Sequence, residues 1–267
     1  MPTDAELLAA AKRGDGAAID QILDRHQKKV FRFGLRMCGS EEDARDVLQE
    51  TLLAAFKRMH DFRGDASLST WLFQIARSFC TKKRRRVQGE PASTVSLEAP
   101  EAAAVPTIQA GPDDQAEARE IGALLHAAIL ALPEGYREAI VLRDVEGLPA
   151  EEAARVLGIE VGALKSRLHR ARLELREKLA GMLSDPAAPG QVACPGLAAE
   201  LSAYVGADID QATCQRIEDH LSRCPRCEST CSTLKRSVAL CSRVPGGEVP
   251  ASIRTAVRQA LHAATAR

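Results

Sequence analysis

The residues best suited to chemistry lie in the last third of the 267-residue chain, where cysteine and histidine recur at metal-ligand spacing. Cys194 is followed by His220, Cys224 and Cys227 in the pattern C-x25-H-x3-C-x2-C. On one helix His220, Cys224 and Cys227 share a face, and Cys194 would join them from another element. Three thiolates and one imidazole are the donors of a closed tetrahedral zinc site. The alternative is a CxxC pair without metal, but redox chemistry needs neither the histidine nor the remote cysteine.

Six of the eight cysteines follow residue 190. In a cytosolic chain this usage favours metal or redox chemistry over structural disulfides. The thiols of Cys214, Cys231 and Cys241 exceed the four-ligand set. They either extend the site into a sensor for a thiophilic metal such as Zn²⁺, Cd²⁺ or Cu, or are small buried hydrophobic residues. Cys38 and Cys80 are predicted to be plain core or groove residues.

A second pattern, Leu148–Leu179, predicts two helices around a tight turn. The first is Ala150–Leu157, led by Pro149 and ended by Gly158. The second, Gly162–Leu179, carries an apolar stripe at helical spacing. Six Lys/Arg and two Glu fall between Gly162 and Ala180. A short helix, a turn and a longer basic helix form a helix-turn-helix suited to the major groove. A solvated amphipathic helix is the alternative.

The N-terminal part offers two further candidate surfaces. In the predicted helix Glu41–Met59, Leu53 lies among Asp46 and Glu50 on the side away from the apolar stripe, which suits a protein contact. The alternative is that these charges only keep the helix soluble. The loop Asp61–Leu68 precedes a helix that Ser69 or Thr70 would cap. That helix ends in the basic run Lys82–Arg86. A basic helix end beside a glycine-containing loop is a plausible site for DNA phosphates and an unstacked base.

The remaining elements that must position these sites are also predicted to be helical. Aromatic residues make up only 3% of the chain, and Ala and Leu dominate. Thr3 or Asp4 would cap a first helix that runs through Lys12. The further predicted helices are Ala17–Arg36, Ala116–Leu132, Tyr136–Arg143, Ala198–Val205, Gln211–Leu221 and Val249–His262. Val87–Gln115 and Asp185–Gly190 are expected to be linkers. Because there is neither a signal peptide nor an apolar run of ~20 residues, we expect a cytoplasmic protein without membrane contact.

Residues 1–182 resemble the extracytoplasmic-function (ECF) group of bacterial sigma factors. DARDVLQETLLAAFKRM resembles the family's region 2.2 helix, and FRGDASLSTWLFQIARSFCTKKRRR resembles regions 2.3–2.4. ALPEGYREAIVLRDVEGLPAEEAARVLGIEVGALKSRLHRAR resembles region 4. The chain departs from the family at Ser78, Thr81 and Ala163, so the relatives' −10 sequence does not carry over and Ala163 is not expected to contact DNA.

The resemblance implies a transcription initiation factor rather than an enzyme. Region 2 would dock on the β′ coiled coil of core RNA polymerase through Asp43, Asp46, Gln49, Glu50 and Leu53. Promoter DNA would be contacted at the −35 element by Lys165, Ser166, Arg167, His169, Arg170 and Arg172. At the −10 element the contacts would come from Arg63, Trp71, Arg77, Lys82, Lys83, Arg84 and Arg85. Region 4 would also touch the polymerase β flap.

The segment CPGLAAELSAYVGADIDQATCQRIEDHLSRCPRC resembles the zinc-containing anti-sigma domain, here fused to a sigma factor as in CorE-like proteins. The expected fold class is all-α. Sigma region 2 (1–86), a flexible linker (87–115) and region 4 (116–184) would precede a small zinc-binding domain (190–245) and a tail helix (246–267). The C-terminal domain is expected to contact the sigma domains and to regulate them through metal or redox state. The alternatives are a purely structural or partner-binding zinc module and a redox enzyme using Cys224 and Cys227. Whether the domain inhibits or activates stays open.

Overall fold

A computed structural model describes residues 1–89, 112–180, 193–243 and 248–265, with side chains at 1–84, 120–180, 193–242 and 248–261. The described residues form helices and turns without a strand, which confirms the all-α fold class. The chain divides into two compact units. The first joins Met1–Arg119 to Pro245–Arg267, and the second is Glu120–Val244.

Twelve α-helices are described. In chain order they are α1 (Asp4–Lys12), α2 (Gly16–Cys38), α3 (Glu41–Lys57), α4 (Leu68–Gly89), α5 (Pro112–Leu130), α6 (Glu134–Ile140), α7 (Ala150–Leu157), α8 (Val161–Lys178), α9 (Ala198–Val205), α10 (Gln211–Leu221), α11 (Pro225–Arg243) and α12 (Ala251–Thr265). Met59–Asp61 forms a short 3₁₀ turn and Val141–Val145 a π-helical turn. Of the predicted linkers, 90–111 and Asp185–Gly190 lie outside the described residues. The ends of the first linker are helical in α4 and α5.

The first unit is a bundle of α1–α4. The Thr3 side chain caps α1 in a reciprocal box with Glu6, and Ser40 caps α3 by accepting the Asp43 N–H at 3.0 Å. The predicted cap of α4 was wrong: Ser67, rather than Ser69 or Thr70, accepts the Thr70 N–H. The helix begins at Leu68, before either of those residues, and therefore earlier than a cap at Ser69 or Thr70 would allow.

Helix α12 belongs to this first unit and packs on α3. Its apolar positions Ile253, Val257 and Leu261 are buried, and Leu261 lines an apolar groove with Trp71 and side chains of α1–α3. Arg258 also pairs with the carboxylates of Asp20 and Asp24 on α2, at 2.7 and 3.5 Å. The tail helix therefore completes the surface of the N-terminal bundle.

The second unit contains the helix-turn-helix and the cysteine-rich segment together. Helix α7 has the predicted bounds, and Gly158 ends it in the left-handed conformation at φ +67°, where glycine carries no steric cost. The predicted apolar stripe of α8 is buried: Leu164, Leu168, Ala171, Leu175 and Leu179. Helices α9 and α11 pack against α8. None of the described helices is both long and apolar enough to cross a membrane.

Candidate functional site

The four predicted metal ligands come together in the second unit. One ligand atom from each of Cys194, His220, Cys224 and Cys227 lies within 4.8 Å of the others. The Sγ atoms of Cys194 and Cys224 are 3.9 Å apart, and the Cys194 N–H donates to Cys227 Sγ at 3.3 Å. The Cys227 side chain is buried and the other three are partly exposed. The cluster thus combines close thiols with one imidazole.

Two helices and two turns position these ligands. Cys194 precedes α9 in a turn that contains Gly196 at φ +85°. His220 lies at the end of α10, which Asp210 caps through the Thr213 N–H. The expectation that His220 and Cys224 share one helix was wrong, because α10 ends at Leu221 and α11 begins at Pro225. Proline favours the first position of a helix, so Pro225 was the sequence signal for this break.

The donor set and its spacing fit a zinc ion. Two sulfurs bonded at about 2.3 Å to one tetrahedral zinc lie about 3.8 Å apart, close to the separation of the Cys194 and Cys224 sulfurs. The Nε2 atom of His220 is buried without a hydrogen-bond partner, an uncommon state for a buried polar atom that a metal bond would relieve. The Cys227 backbone N–H lowers the pKa of Cys224 to about 6, whereas burial raises that of Cys227 to about 11.

The three additional cysteines do not join this four-residue group within the described residues. Cys231 and Cys241 are buried, and Cys231 belongs to the small core formed around Leu201, Ile217 and Leu234. Cys214 donates to the Glu218 carboxylate at 3.4 Å. Burial therefore favours the small-hydrophobe interpretation for Cys231 and Cys241.

The predicted DNA face of α8 is only partly covered. Lys165, Ser166 and Arg170 are exposed, and Arg167 and His169 are half-buried. Burial, aided by the nearby charges of Arg170 and Arg172, lowers the pKa of His169. Its imidazole is therefore neutral near pH 7 and could both donate and accept hydrogen bonds.

Arg172 was predicted to bind DNA, but the structure buries it. Its side chain is 2% exposed, as is that of Asp144. Its Nε and Nη2 donate to the Asp144 carboxylate at 2.9 and 2.6 Å. Its Nη1 donates to the Ser202 carbonyl and hydroxyl at 2.5 and 3.2 Å. A guanidinium so enclosed is not available to phosphates in this conformation; it joins α8 to α9.

The turn after α9 supplies contacts that the sequence did not predict. Arg143 Nη2 donates to the Gly206 carbonyl at 2.5 Å and to the Asp208 carboxylate at 3.0 Å. Lys165 Nζ donates to the Asp208 carbonyl at 3.0 Å. Ala207 lies at φ +55°, which is uncommon for a residue other than glycine. No local periodicity marks such contacts, so the sequence carried no signal for Arg143 or Asp208.

The Gly206–Asp208 turn packs closely against Arg172 of α8. A Cβ atom added to Gly206 would lie 2.7 Å from the Asp208 carboxylate and 3.2 Å from two nitrogens of Arg172. A larger residue at position 206 would therefore force the Asp208 carboxylate to move and would crowd the Arg172 guanidinium. The contact between α8 and the cysteine-rich segment is therefore a fitted interface.

In the first unit, one predicted DNA residue contacts two predicted polymerase residues. Lys83 pairs with Asp43 and Asp46, each at 2.8 Å. Burial opposes the charge on Lys83, but the two carboxylates outweigh it and raise its pKa. The other expected polymerase residues lie on α3, with Gln49 and Glu50 exposed and Leu53 half-buried.

The remaining predicted −10 residues lie on α4 and on the loop before it. Trp71 packs against Phe62 with ring centroids 5.2 Å apart, and Lys82 lies over the Phe79 ring at 5.4 Å. Arg63 is exposed, and Arg77 and Arg84 are half-buried. The side chain of Arg85 lies outside the described residues.

Comparison with known proteins identifies three segments of the chain. Residues 22–90 match "Sigma-70 region 2", 122–175 match "Sigma-70, region 4" and 196–227 match "Putative zinc-finger". The ECF RNA polymerase sigma factor SigM of Mycobacterium tuberculosis is 34% identical over 177 residues, which cover 66% of this chain and 85% of SigM. The chain belongs to the ECF sigma factors. It carries a zinc-finger domain C-terminal to regions 2 and 4.

A second relative and one solved structure are also similar to part of this chain. The RNA polymerase sigma-H factor of Pseudomonas aeruginosa is 33% identical over 190 residues, covering 68% of this chain and 96% of sigma-H. Among solved structures, CnrH in complex with the cytosolic domain of CnrY matches with a TM-score of 0.48 and 27% identity, covering 66% of this chain and 96% of CnrH. Named relatives are transcription initiation factors rather than enzymes. This ECF sigma factor therefore acts with RNA polymerase at promoters.

Proposed function

We propose that this ECF sigma factor is restrained in cis by its C-terminal domain, which holds zinc and docks on region 4. In this account region 2 binds core polymerase through the exposed side of α3 and the −10 strand through α4 and its preceding loop. Region 4 reads the −35 element through α8. The docked domain competes with DNA for basic side chains of region 4.

The contacts of the Gly206–Asp208 turn are the observation that carries the proposal. The turn offers two carbonyl oxygens and one carboxylate to Arg143 and Lys165. These acceptors resemble the phosphate oxygens that Arg and Lys bind on duplex DNA. While the turn is docked, Lys165 already has an acceptor and Asp208 adds negative charge beside the DNA face.

The restraint is expected to be partial. Ser166 and Arg170 stay exposed while the turn is docked, so part of the DNA face remains open. Electrostatic contacts dominate affinity for DNA, so engaging one lysine and adding one carboxylate weakens binding without abolishing it. A docked region 4 should thus support a low basal level of transcription.

Metal would act by holding the docked domain in shape. Cys194, His220, Cys224 and Cys227 would bind zinc and thereby join the start of α9 to α10 and α11. Because closed zinc sites contribute folding free energy to small domains, loss of metal should loosen α9 and the turn that follows it. The proposal therefore predicts that metal removal releases region 4.

The test is run-off transcription with core RNA polymerase from a promoter selected in vitro with this holoenzyme. The full chain would be compared with a chain ending at Asp185. We expect the shortened chain to transcribe more than the zinc-loaded full chain at equal sigma concentration. Equal activity would favour a structural or partner-binding zinc module. Lower activity would indicate that the removed residues, either the zinc-binding segment or the tail helix α12 that packs on region 2, are required for transcription.

A further inference from the structure

A second thiol pair lies in region 2, far in sequence from the metal ligands. Cys38 is the last residue of α2, and Cys80 lies on α4. Their Sγ atoms are 3.1 Å apart, in hydrogen-bond contact. Cys80 is fully buried and Cys38 is half-buried. Cys38 is therefore the more exposed residue of the pair.

The surrounding structure holds the two sulfurs together. A Cβ added to Gly34 on α2 would lie 3.1 Å from the Ala44 Cα, so α2 and α3 are in close contact just before Cys38. Phe33 and Phe73 bring α2 and α4 together, with ring centroids 5.3 Å apart. Arg84 adds a hydrogen bond to the Met37 carbonyl at 3.4 Å. The sulfurs thus meet between packed helices.

We propose that Cys38 and Cys80 are a peroxide-oxidisable dithiol that closes to a reversible disulfide within region 2. A disulfide bond of about 2.05 Å requires the two sulfurs to move about 1 Å closer, a small shift at the end of α2. The pair shares no residue with the four-ligand group of the second unit. The resulting disulfide would covalently link the C-terminal end of α2, which precedes α3, to Cys80 of α4. Cys80 lies three residues before Lys83.

The charge environment supports Cys38 as the sulfur that reacts first. The hydrogen bond between the Cys38 and Cys80 thiols lowers the pKa of Cys38, although burial and the Asp43 carboxylate oppose this. Arg84 and Lys83 lower it further. The same contact and burial raise the pKa of Cys80. The thiolate is the nucleophilic form of cysteine, so the half-buried Cys38 is the attacking sulfur.

The reaction balances with hydrogen peroxide as the oxidant. The Cys38 thiolate attacks one peroxide oxygen, an S–O bond forms, the O–O bond breaks and hydroxide leaves to take up the proton released by Cys38. The Cys38 sulfur is thereby oxidised by two electrons to the sulfenic acid. The Cys80 sulfur then attacks this sulfur, the S–S bond replaces the S–O bond, and water leaves with the Cys80 proton. The net change consumes two thiols and one peroxide and yields one disulfide and two waters.

Peptide mapping of the zinc-loaded full chain tests the proposal. After treatment with equimolar hydrogen peroxide and alkylation, trypsin releases Met37–Arg45 and Ser78–Lys82, neither of which contains a candidate metal ligand. We expect a linked product lighter by two hydrogen atoms than the two peptides together, and its loss after dithiothreitol. The linked product should persist in C214S and disappear in C38A.

Cys80→Ala provides a second readout, because it leaves no resolving thiol. Dimedone should then trap sulfenic acid on Cys38 in C80A, with less trapping in the unaltered chain. If both peptides of the unaltered chain stay fully alkylated after peroxide while the metal-ligand cysteines oxidise, the proposal is overturned. That result requires no variant to fold.

Discussion

Replacing Asp208 by alanine should release region 4 without touching the metal ligands. The substitution removes the carboxylate that accepts from Arg143 at 3.0 Å. Their side chains are only 11% and 17% exposed, so solvent screens this pair less than a surface pair. A hydrogen bond to a charged group contributes about 1.5–3 kcal/mol, and the Arg143 bonds to the carbonyls of Gly206 and Leu148 can persist.

This loss sets the size of the expected effect. At about 1.4 kcal/mol per tenfold, it shifts the docking equilibrium by roughly 10- to 150-fold. The apparent affinity of a protein for its ligand is reduced in proportion to the fraction of molecules that is competent to bind. The gain in DNA affinity therefore cannot exceed the shift in the docking equilibrium. Because the docked form leaves part of α8 open, we expect D208A to bind promoter DNA up to about 10-fold more tightly, at the lower end of that range.

The assay is fluorescence anisotropy of a labelled promoter fragment with zinc-loaded holoenzyme at one fixed salt concentration. Glu228→Ala is the control, because Glu228 is exposed and its removal changes the net charge equally. Gly206→Ala should act like D208A, since the new Cβ would lie 2.7 Å from the Asp208 carboxylate. The reasoning is refuted if D208A and G206A bind DNA no more tightly than E228A.

Two further predictions concern the metal ligands and the tail helix. C214S should retain one equivalent of zinc and C194S should lose most of it, because Cys194 belongs to the four-ligand group and Cys214 does not. Metal analysis after gel filtration checks this, and equal zinc in both variants would contradict it. L261A should destabilise the first unit by about 2 kcal/mol, the lower bound for a buried Leu→Ala change, because Leu261 lies near the end of its helix. Urea unfolding followed by the fluorescence of Trp71, the only tryptophan, measures this loss of stability. The control is Gln259→Ala, because Gln259 is exposed and its replacement should leave the unfolding midpoint unchanged. An L261A midpoint equal to that of Q259A would refute the packing role.

Local patterns in the sequence predicted much of the fold. The bounds of α7, α9 and α10 agree with expectation because proline, aspartate and glycine mark their ends. The buried stripe of α8 follows helical periodicity. The four-ligand group was also predictable, since zinc fixes ligand types and short spacings along the chain.

The errors arose where partners distant in sequence decide the outcome. On a helical wheel Arg172 lies on the flank of α8, and only Asp144 and Ser202, 28 and 30 residues away, make that flank buried. The contact between Cys38 and Cys80 spans 42 residues and has no periodic signature. Composition and spacing along the chain describe single elements well, but they do not describe the faces on which two elements meet.

Run-off transcription with and without a zinc chelator tests the central claim most directly, provided that the full chain and D208A are compared at one promoter. The account predicts that chelation raises transcription by the full chain and has a smaller effect on D208A, which is already released. Transcription that falls on chelation, or that rises equally in the two proteins, would contradict a metal-held contact between the C-terminal domain and region 4.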